Sequence, residues 1–324
     1  MEKLLEIQDL WVTYDTFEGL VKAVNGLHLT IHKGEKLGLV GETGAGKTTT
    51  ALSVLKLLPA RTGRINKGKI LFNGVDLIKQ SSHYLLNIRG KEIAMIFQNP
   101  LTSLNPVFTI GEQIGMVFTR HYKMSSKQAS KKVAEVLEIV GIPGQRREEY
   151  PHQFSGGMRQ RVGIAAALAC KPELLIADEP TTALDVTIQA QILELIKDLN
   201  KEINTALLMI THNLGIIAEI CQNVAVMYAG EIIEYGSIEK VFTNTLHPYT
   251  KGLFDSIPDL FDKKDRLVAM KGVVSDALNL PFGCRFNVRC PYVMEICKKK
   301  KPMLLKTEPE HFVACFKVNK MGEE

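Results

Sequence analysis

Sheet-like patterning of apolar and polar residues covers residues 3–13 and 27–40, joined by a charged, hairpin-like connection holding Asp15, Glu18 and Lys22. Leu37–Val40 (LGLV) forms the end of the second stretch and predicts a short buried strand running into a glycine-rich turn. From Lys47 to Leu58 the spacing turns helical and stops before Pro59. Further strands are expected at Lys69–Asn73 and Ile93–Gln98. Residues 99–150 change character: Pro100 and Pro106 break the chain, and Ser125–Val140 reads as an amphipathic helix capped by Ser125 or Ser126. Sheet-like runs return at Leu174–Ala177, Ala206–Thr211 and Asn223–Tyr228, with helices between them. Strands alternating with helices predict a largely parallel α/β core. His247–Tyr249 (HPY) and the Pro- and Lys-rich stretch after it mark a smaller C-terminal unit.

Composition narrows the class. The chain has 324 residues, 45% hydrophobic and 23% charged, which suits a globular protein of about two domains and is too apolar for disorder. The formal charge is +5, and residues 282–324 carry nine basic against five acidic side chains, so most of the excess lies there. That balance is too mild to argue for nucleic acid. No apolar run approaches the ~18–20 residues of a bilayer span, and the N-terminus (MEKLLEIQDLW) has no signal-peptide core. The expectation is a chain that neither spans a membrane nor is exported. Six cysteines are too few for a disulfide scaffold and suit a reducing compartment. Cys170 and Cys221 lie alone in apolar contexts, whereas Cys284, Cys290, Cys297 and Cys315 crowd together near the C-terminus.

The strongest chemical signal is GETGAGKT at Gly41–Thr48, which fits G-x-x-x-x-G-K-[ST] after a strand and at the start of a helix. Gly41, Gly44 and Gly46 let the backbone curl so that successive N–H groups face one concavity, and the helix N-terminus adds partial positive charge. Lys47 is expected to reach the β- and γ-phosphates, and the Thr48 hydroxyl to ligate Mg²⁺. A second signal is LLIADE (Leu174–Glu179), an apolar strand ending in two carboxylates. Alternation sends Asp178 and Glu179 in different directions, so one can serve Mg²⁺ while the other faces the γ-phosphate and the attacking water.

With FSGGMRQR (Phe154–Arg161) the chain resembles the ATPase subunits of ATP-binding cassette (ABC) transporters, whose LSGGQ segment it matches apart from Phe154 and Met158. Ser155, Gly156 and Gly157 keep the hydroxyl and bare backbone N–H groups of that segment. The resemblance implies that they, with Asp185 of ALD (Ala183–Asp185), meet the ATP held by a partner subunit. Gln98 resembles the Q-loop glutamine, His212 the switch histidine, and Tyr14 the aromatic that stacks on adenine, with Trp11 and Phe17 as neighbouring candidates. The nucleotide cradle so implied comprises Tyr14, Gly41, Glu42, Thr43, Gly44, Ala45, Gly46, Lys47, Thr48 and Thr49. Mg²⁺ would be held through Thr48, Gln98 and Asp178, and Glu179, His212, Lys47 and Gln98 would be catalytic. One chain carries one phosphate loop and one SGG segment, which lie on opposite edges of the family's fold. Two complete sites therefore require two chains that close on ATP and reopen after hydrolysis.

FQNPLTSLNPVFTIGEQI (Phe97–Ile114), YPHQFSGGMRQR (Tyr150–Arg161), HPYTKGLFDSIP (His247–Pro258) and GCRFNVRCP…C…HFVAC (Gly283–Cys315) resemble the oligopeptide/dipeptide importer subfamily more narrowly. The resemblance implies a P-loop NTPase core with an antiparallel β subdomain, a helical subdomain at about 99–165 within a nucleotide-binding domain at 1–245, and a Cys-rich extension at 246–324. It also implies a second ATPase subunit, two membrane permeases, an extracytoplasmic binding protein, a peripheral place on the cytoplasmic membrane face and no nucleic-acid partner. Nickel and oligosaccharide importers share these segments. A soluble ABC ATPase of translation or DNA repair is the competing class, but the 57 positions from Gln98 to Ser155 hold no long heptad run and only one cassette is present. A degenerate module that has lost turnover would be expected to lack Glu179 or His212.

The terminal cysteines leave three readings open. Cys284, Cys290, Cys297 and Cys315 are spaced C-x₅-C-x₆-C-x₁₇-C, without the C-x₂-C knuckle of most zinc sites. They could be unligated thiols in a small basic tail, four ligands to zinc, or a [4Fe–4S] site. The segment has few large apolar residues, so a metal staple would help it fold. Some peptide-importer ATPases hold such a cluster at matching cysteines, and the resemblance favours Fe₄S₄ with a structural role.

Overall fold

A computed structural model describes residues 2–99, 103–182, 184–256, 270 and 272–318, with only the backbone described at 201–203. Pro100, Ala183 of the ALD segment, and Ile257 and Pro258 at the end of HPYTKGLFDSIP lie outside the described residues. The chain divides into two compact units, each assembled from three separate stretches.

The first unit comprises Met1–Leu4, Ile31–Lys36 and Lys79–Ile210. Its sheet is parallel: β6 (Ile93–Ile96) pairs with β7 (Leu174–Asp178), and β7 with β8 (Ala206–Thr211). All five residues of β7 are buried, as expected for a strand covered on both faces. Between β6 and β7 lies the helical part. Helix α3 (Ile110–Tyr122) opens on a capping box between Thr109 and Glu112, and α4 (Ser126–Ile139) on one between Ser125 and Gln128. The expected cap Ser125 is thus in place, and Ala129, Val133 and Leu137 form the buried stripe of α4. Helix α5 (Gly156–Leu168) and helix α6 (Val186–Ile203) complete the unit's framework. Gly157 permits their close packing, because a Cβ there would lie 2.6 Å from Ile188 Cγ2.

The second unit comprises Leu5–Thr30, Leu37–Ile78 and Thr211–Glu324. It contains an antiparallel sheet in the order β2 (Gly19–His32), β1 (Lys3–Thr16), β4 (Gly63–Phe72), β5 (Val75–Asp76). It also contains β3 (Lys36–Val40) paired in parallel with β9 (Asn223–Tyr228), which continues antiparallel through β10 (Glu231–Ser237) and β12 (His311–Val313) to β11 (Leu305–Glu308). The C-terminal segment therefore adds strands to the phosphate-loop sheet.

Several elements differ from expectation, β4 among them, which begins at Gly63 rather than at Lys69. The stretch 27–40 is not one strand: it divides between β2 and β3 at a turn where Gly34 adopts φ +70°. Helix α1 (Lys47–Val54) is shorter than Lys47–Leu58 because Lys56 adopts a left-handed φ of 48°. β10 went unread because its residues are mostly buried and lack alternation. Among the described residues no helix is long and apolar enough to cross a membrane.

Candidate functional site

In the second unit, β3 delivers the chain into Gly41 and α1 receives it at Lys47, so the glycine-rich loop sits at the C-terminal end of a parallel strand, where α/β sheets bind ligands. Gly46 is the cap of α1 with φ 102°, and a Cβ there would run into the Ala23 carbonyl oxygen. No other residue type fits. The buried Lys47 ammonium donates to the Gly41 carbonyl at 2.7 Å and the Glu42 carbonyl at 3.0 Å, which folds its side chain back along the loop. Thr48 is exposed at the start of α1. Tyr14, near the end of β1, has its hydroxyl 3.2 Å from Thr49 Oγ1, which brings the expected adenine-stacking residue to the phosphate-loop helix. Trp11 is instead tied to Asp9 through its indole N–H, and Phe17 is fully exposed. His212 is exposed, directly after β8.

In the first unit, the buried Asp178 closes β7 and Glu179 follows with φ 45°, in the left-handed region. A glutamate held there stores roughly 1–3 kcal/mol of backbone strain, and its N–H donates to the Ile210 carbonyl at 2.8 Å. Glu179 Oε2 accepts from Gln98 Nε2 at 3.0 Å and from Thr182 Oγ1 at 2.9 Å. Gln98 and Glu179, 81 positions apart, are thus brought together. Thr182, which sequence reasoning missed, completes the arrangement; its place three residues after the carboxylate was the available signal.

Ser155 caps α5 by accepting from the Met158 N–H at 3.3 Å, and Gly156 and Gly157 form its first turn. Phe154, standing where the family has leucine, is buried under the Arg146 guanidinium, 4.4 Å from ring centroid to Cζ. Met158 Sδ lies 3.5 Å from Arg146 Nη1. Both departures are absorbed by one arginine. Asp185 is exposed and caps α6 through the Ile188 N–H at 2.9 Å. A groove of about 420 Å³ on the helical part is lined by Phe108, Gly115 and Met116 of the α3 side, Ala129 and Ser130 of α4, and Arg147.

The expected metal site at the terminal cysteines is corrected by the structure. Among the described residues no group of three or more His, Cys, Asp or Glu side chains is arranged to hold a metal ion. All four cysteines are free thiols, and they line a cavity of about 10 Å³ with Phe286, Pro248 and Met294. That is room for about one water. Burial pushes the Cys284 thiol up to about 12 and also raises Cys290 and Cys315. The iron–sulfur cluster and its zinc alternative are withdrawn.

The phosphate loop is also gripped from the C-terminal side. The Glu42 N–H donates to the Tyr249 hydroxyl at 2.8 Å, and the Glu42 carboxylate takes both arms of Arg289, at 2.6 and 3.1 Å. Neither Tyr249 nor Arg289 was singled out for this role by the sequence.

Comparison with known proteins shows the family. The family described as "ABC transporter" matches residues 24–182, and "Oligopeptide/dipeptide transporter, C-terminal region" matches residues 233–297. The chain belongs to the ABC transporter ATPases, in the branch that carries the oligopeptide/dipeptide transporter C-terminal region. It is 49% identical to an oligopeptide transport ATP-binding protein of Bacillus subtilis over 96% of this chain and 88% of that one. A dipeptide transport ATP-binding protein of the same organism is 46% identical over 100% and 97%. Among solved structures, the dimeric ATP-binding cassette MJ0796 bound to ADP and Pi has a TM-score of 0.65 at 26% identity, covering 72% of this chain and 99% of that one.

Proposed function

We propose that this chain binds and hydrolyses ATP to drive a di- or oligopeptide importer through closure of an ATPase dimer. The observation that carries the hydrolytic reading is Glu179: strained, at the mouth of a buried strand, with Gln98 and Thr182 both donating to one oxygen. Such a carboxylate is positioned to take a proton from water or polarise it. Lys47 and the N–H groups of the glycine loop hold the phosphates, His212 contacts the γ-phosphate, and Tyr14 stacks on adenine. Thr48, Gln98 and Asp178 offer only oxygen donors, which fits a hard cation such as Mg²⁺. Bound there, Mg²⁺ would neutralise charge developing on the phosphates. Ser155, Gly156, Gly157 and Asp185 would meet the ATP of the partner subunit.

The names of the relatives and the match at 233–297 support the peptide assignment. The reading keeps a nucleotide-binding domain at 1–245 and an extension at 246–324, although the C-terminal match at 233–297 begins within β10, before that boundary. The groove on the helical part is suited to receive a short cytoplasmic helix from a permease subunit, which would hold the chain peripherally at the membrane. An extracytoplasmic binding protein would deliver the peptide.

Hydrolysis by variants tests the reading. Lys47→Ala is expected to lose ATP binding, and Glu179→Gln to keep binding while turnover falls roughly 10²–10⁴-fold. Phosphate release at saturating ATP is the measurement. Near-normal turnover by Glu179→Gln would remove that residue from its role.

A further inference from the structure

Glu42 places a negative charge on a loop whose task is to hold polyanions. The favourable field there comes from the Lys47 ammonium and from about half an elementary charge at the N-terminus of α1. An uncompensated carboxylate would offset most of it. The structure supplies a counter-ion from 247 residues further along the chain. The Arg289 side chain is only 3% exposed and meets Glu42, 27% exposed, in a bidentate pair. Planar fork-to-carboxylate pairing of this kind fixes orientation as well as charge.

Arg289 is itself held in place. Its guanidinium lies 5.8 Å from the Tyr228 ring centroid and 5.9 Å from that of Phe286, and both rings pack against Tyr249. Tyr249 in turn accepts the Glu42 N–H, while the Glu42 carbonyl accepts from Lys47. The second residue of the phosphate loop is therefore fixed at its N–H, its carbonyl and its carboxylate. Two of those three contacts come from the region after His247.

We infer that Arg289 is a positioning residue for nucleotide binding: it neutralises Glu42 and fixes the entry of the phosphate loop, so that the C-terminal extension sets the affinity for ATP. This rests on the ATPase reading. Binding of a fluorescent ATP analogue by the wild-type chain, measured first, tests that reading separately.

The experiment compares equilibrium binding of that analogue by full-length variants, with KM and kcat alongside. Arg289→Ala should raise Kd about tenfold and raise KM far more than it lowers kcat. Adding Glu42→Gln to Arg289→Ala should regain most of the lost affinity, because the uncompensated charge is gone. Arg289→Lys, which keeps the charge without the fork, should fall between wild type and Arg289→Ala. Glu42→Gln alone leaves the arginine's charge beside the loop and should tighten binding about threefold, a result that does not require Arg289→Ala to fold. Wild-type affinity in Arg289→Ala, equal weakening with and without Glu42→Gln, or weaker binding by Glu42→Gln alone would each overturn the inference.

Discussion

At the residue scale, two backbone positions shape the candidate site. Glu179 sits in the left-handed region and is held by the Ile210 carbonyl and two side-chain donors, so its carboxylate has little freedom to turn away. Gly46 is the converse case, a position where the backbone needs φ 102° and the surrounding Ala23 carbonyl and Met227 methyl leave no room for a side chain. Gly46→Ala is therefore expected to lose most ATP binding and to destabilise the fold by roughly 1–3 kcal/mol. Nucleotide titration and thermal melting check both. A variant that binds and melts like wild type would show that the loop tolerates a Cβ.

At the element scale, the N-terminus of the helix Pro248–Asp255 carries a pH dependence. His247 is fully buried, and its Nδ1 accepts the Tyr249 N–H at 3.0 Å, so only the neutral ring can serve as the cap. Burial holds its pKa far down, at about 3 against 6.5 for the free side chain. A depressed value in the folded state means stability is fully present above pH 6.5 and declines as pH falls from 6.5 toward 3. The slope from this one group is at most about 1.4 kcal/mol per pH unit. His247→Asn keeps a capping acceptor and removes the charge change, so its denaturation midpoint should vary less than wild type between about pH 7 and about pH 5. Parallel profiles would exclude the histidine. Elements governed by local chemistry were legible in the sequence: Ser125 caps α4 because its partner Gln128 is three residues away. The end of α1 was not, because Lys56 takes a left-handed conformation that no proline or glycine announces. The cysteines misled for a related reason, since spacing along the chain says nothing of cavity size.

At the scale of the whole molecule, the proposed function requires the SGG segment and the phosphate loop each to make half of a site that two chains complete. In the Glu179→Gln background, ATP should convert this chain into a dimer or into a complex with a paralogous ATPase, and ADP should not. Sedimentation in the two nucleotides decides it, and an unchanged mass in ATP, alone and with the paralogue, would exclude closure by nucleotide. The family was readable because its motifs are contiguous and ordered along the chain. The pair Glu42–Arg289 was not, since 247 residues separate its members and they belong to different motifs that nothing in the sequence links.

That separation has a consequence during synthesis. At about 5–20 residues per second, Arg289 leaves the ribosome roughly ten to fifty seconds after Glu42. For that interval the Glu42 carboxylate lacks its counter-ion. Premature termination upstream of Arg289 makes the same condition permanent, so a truncated product would compete poorly with finished subunits for cellular ATP.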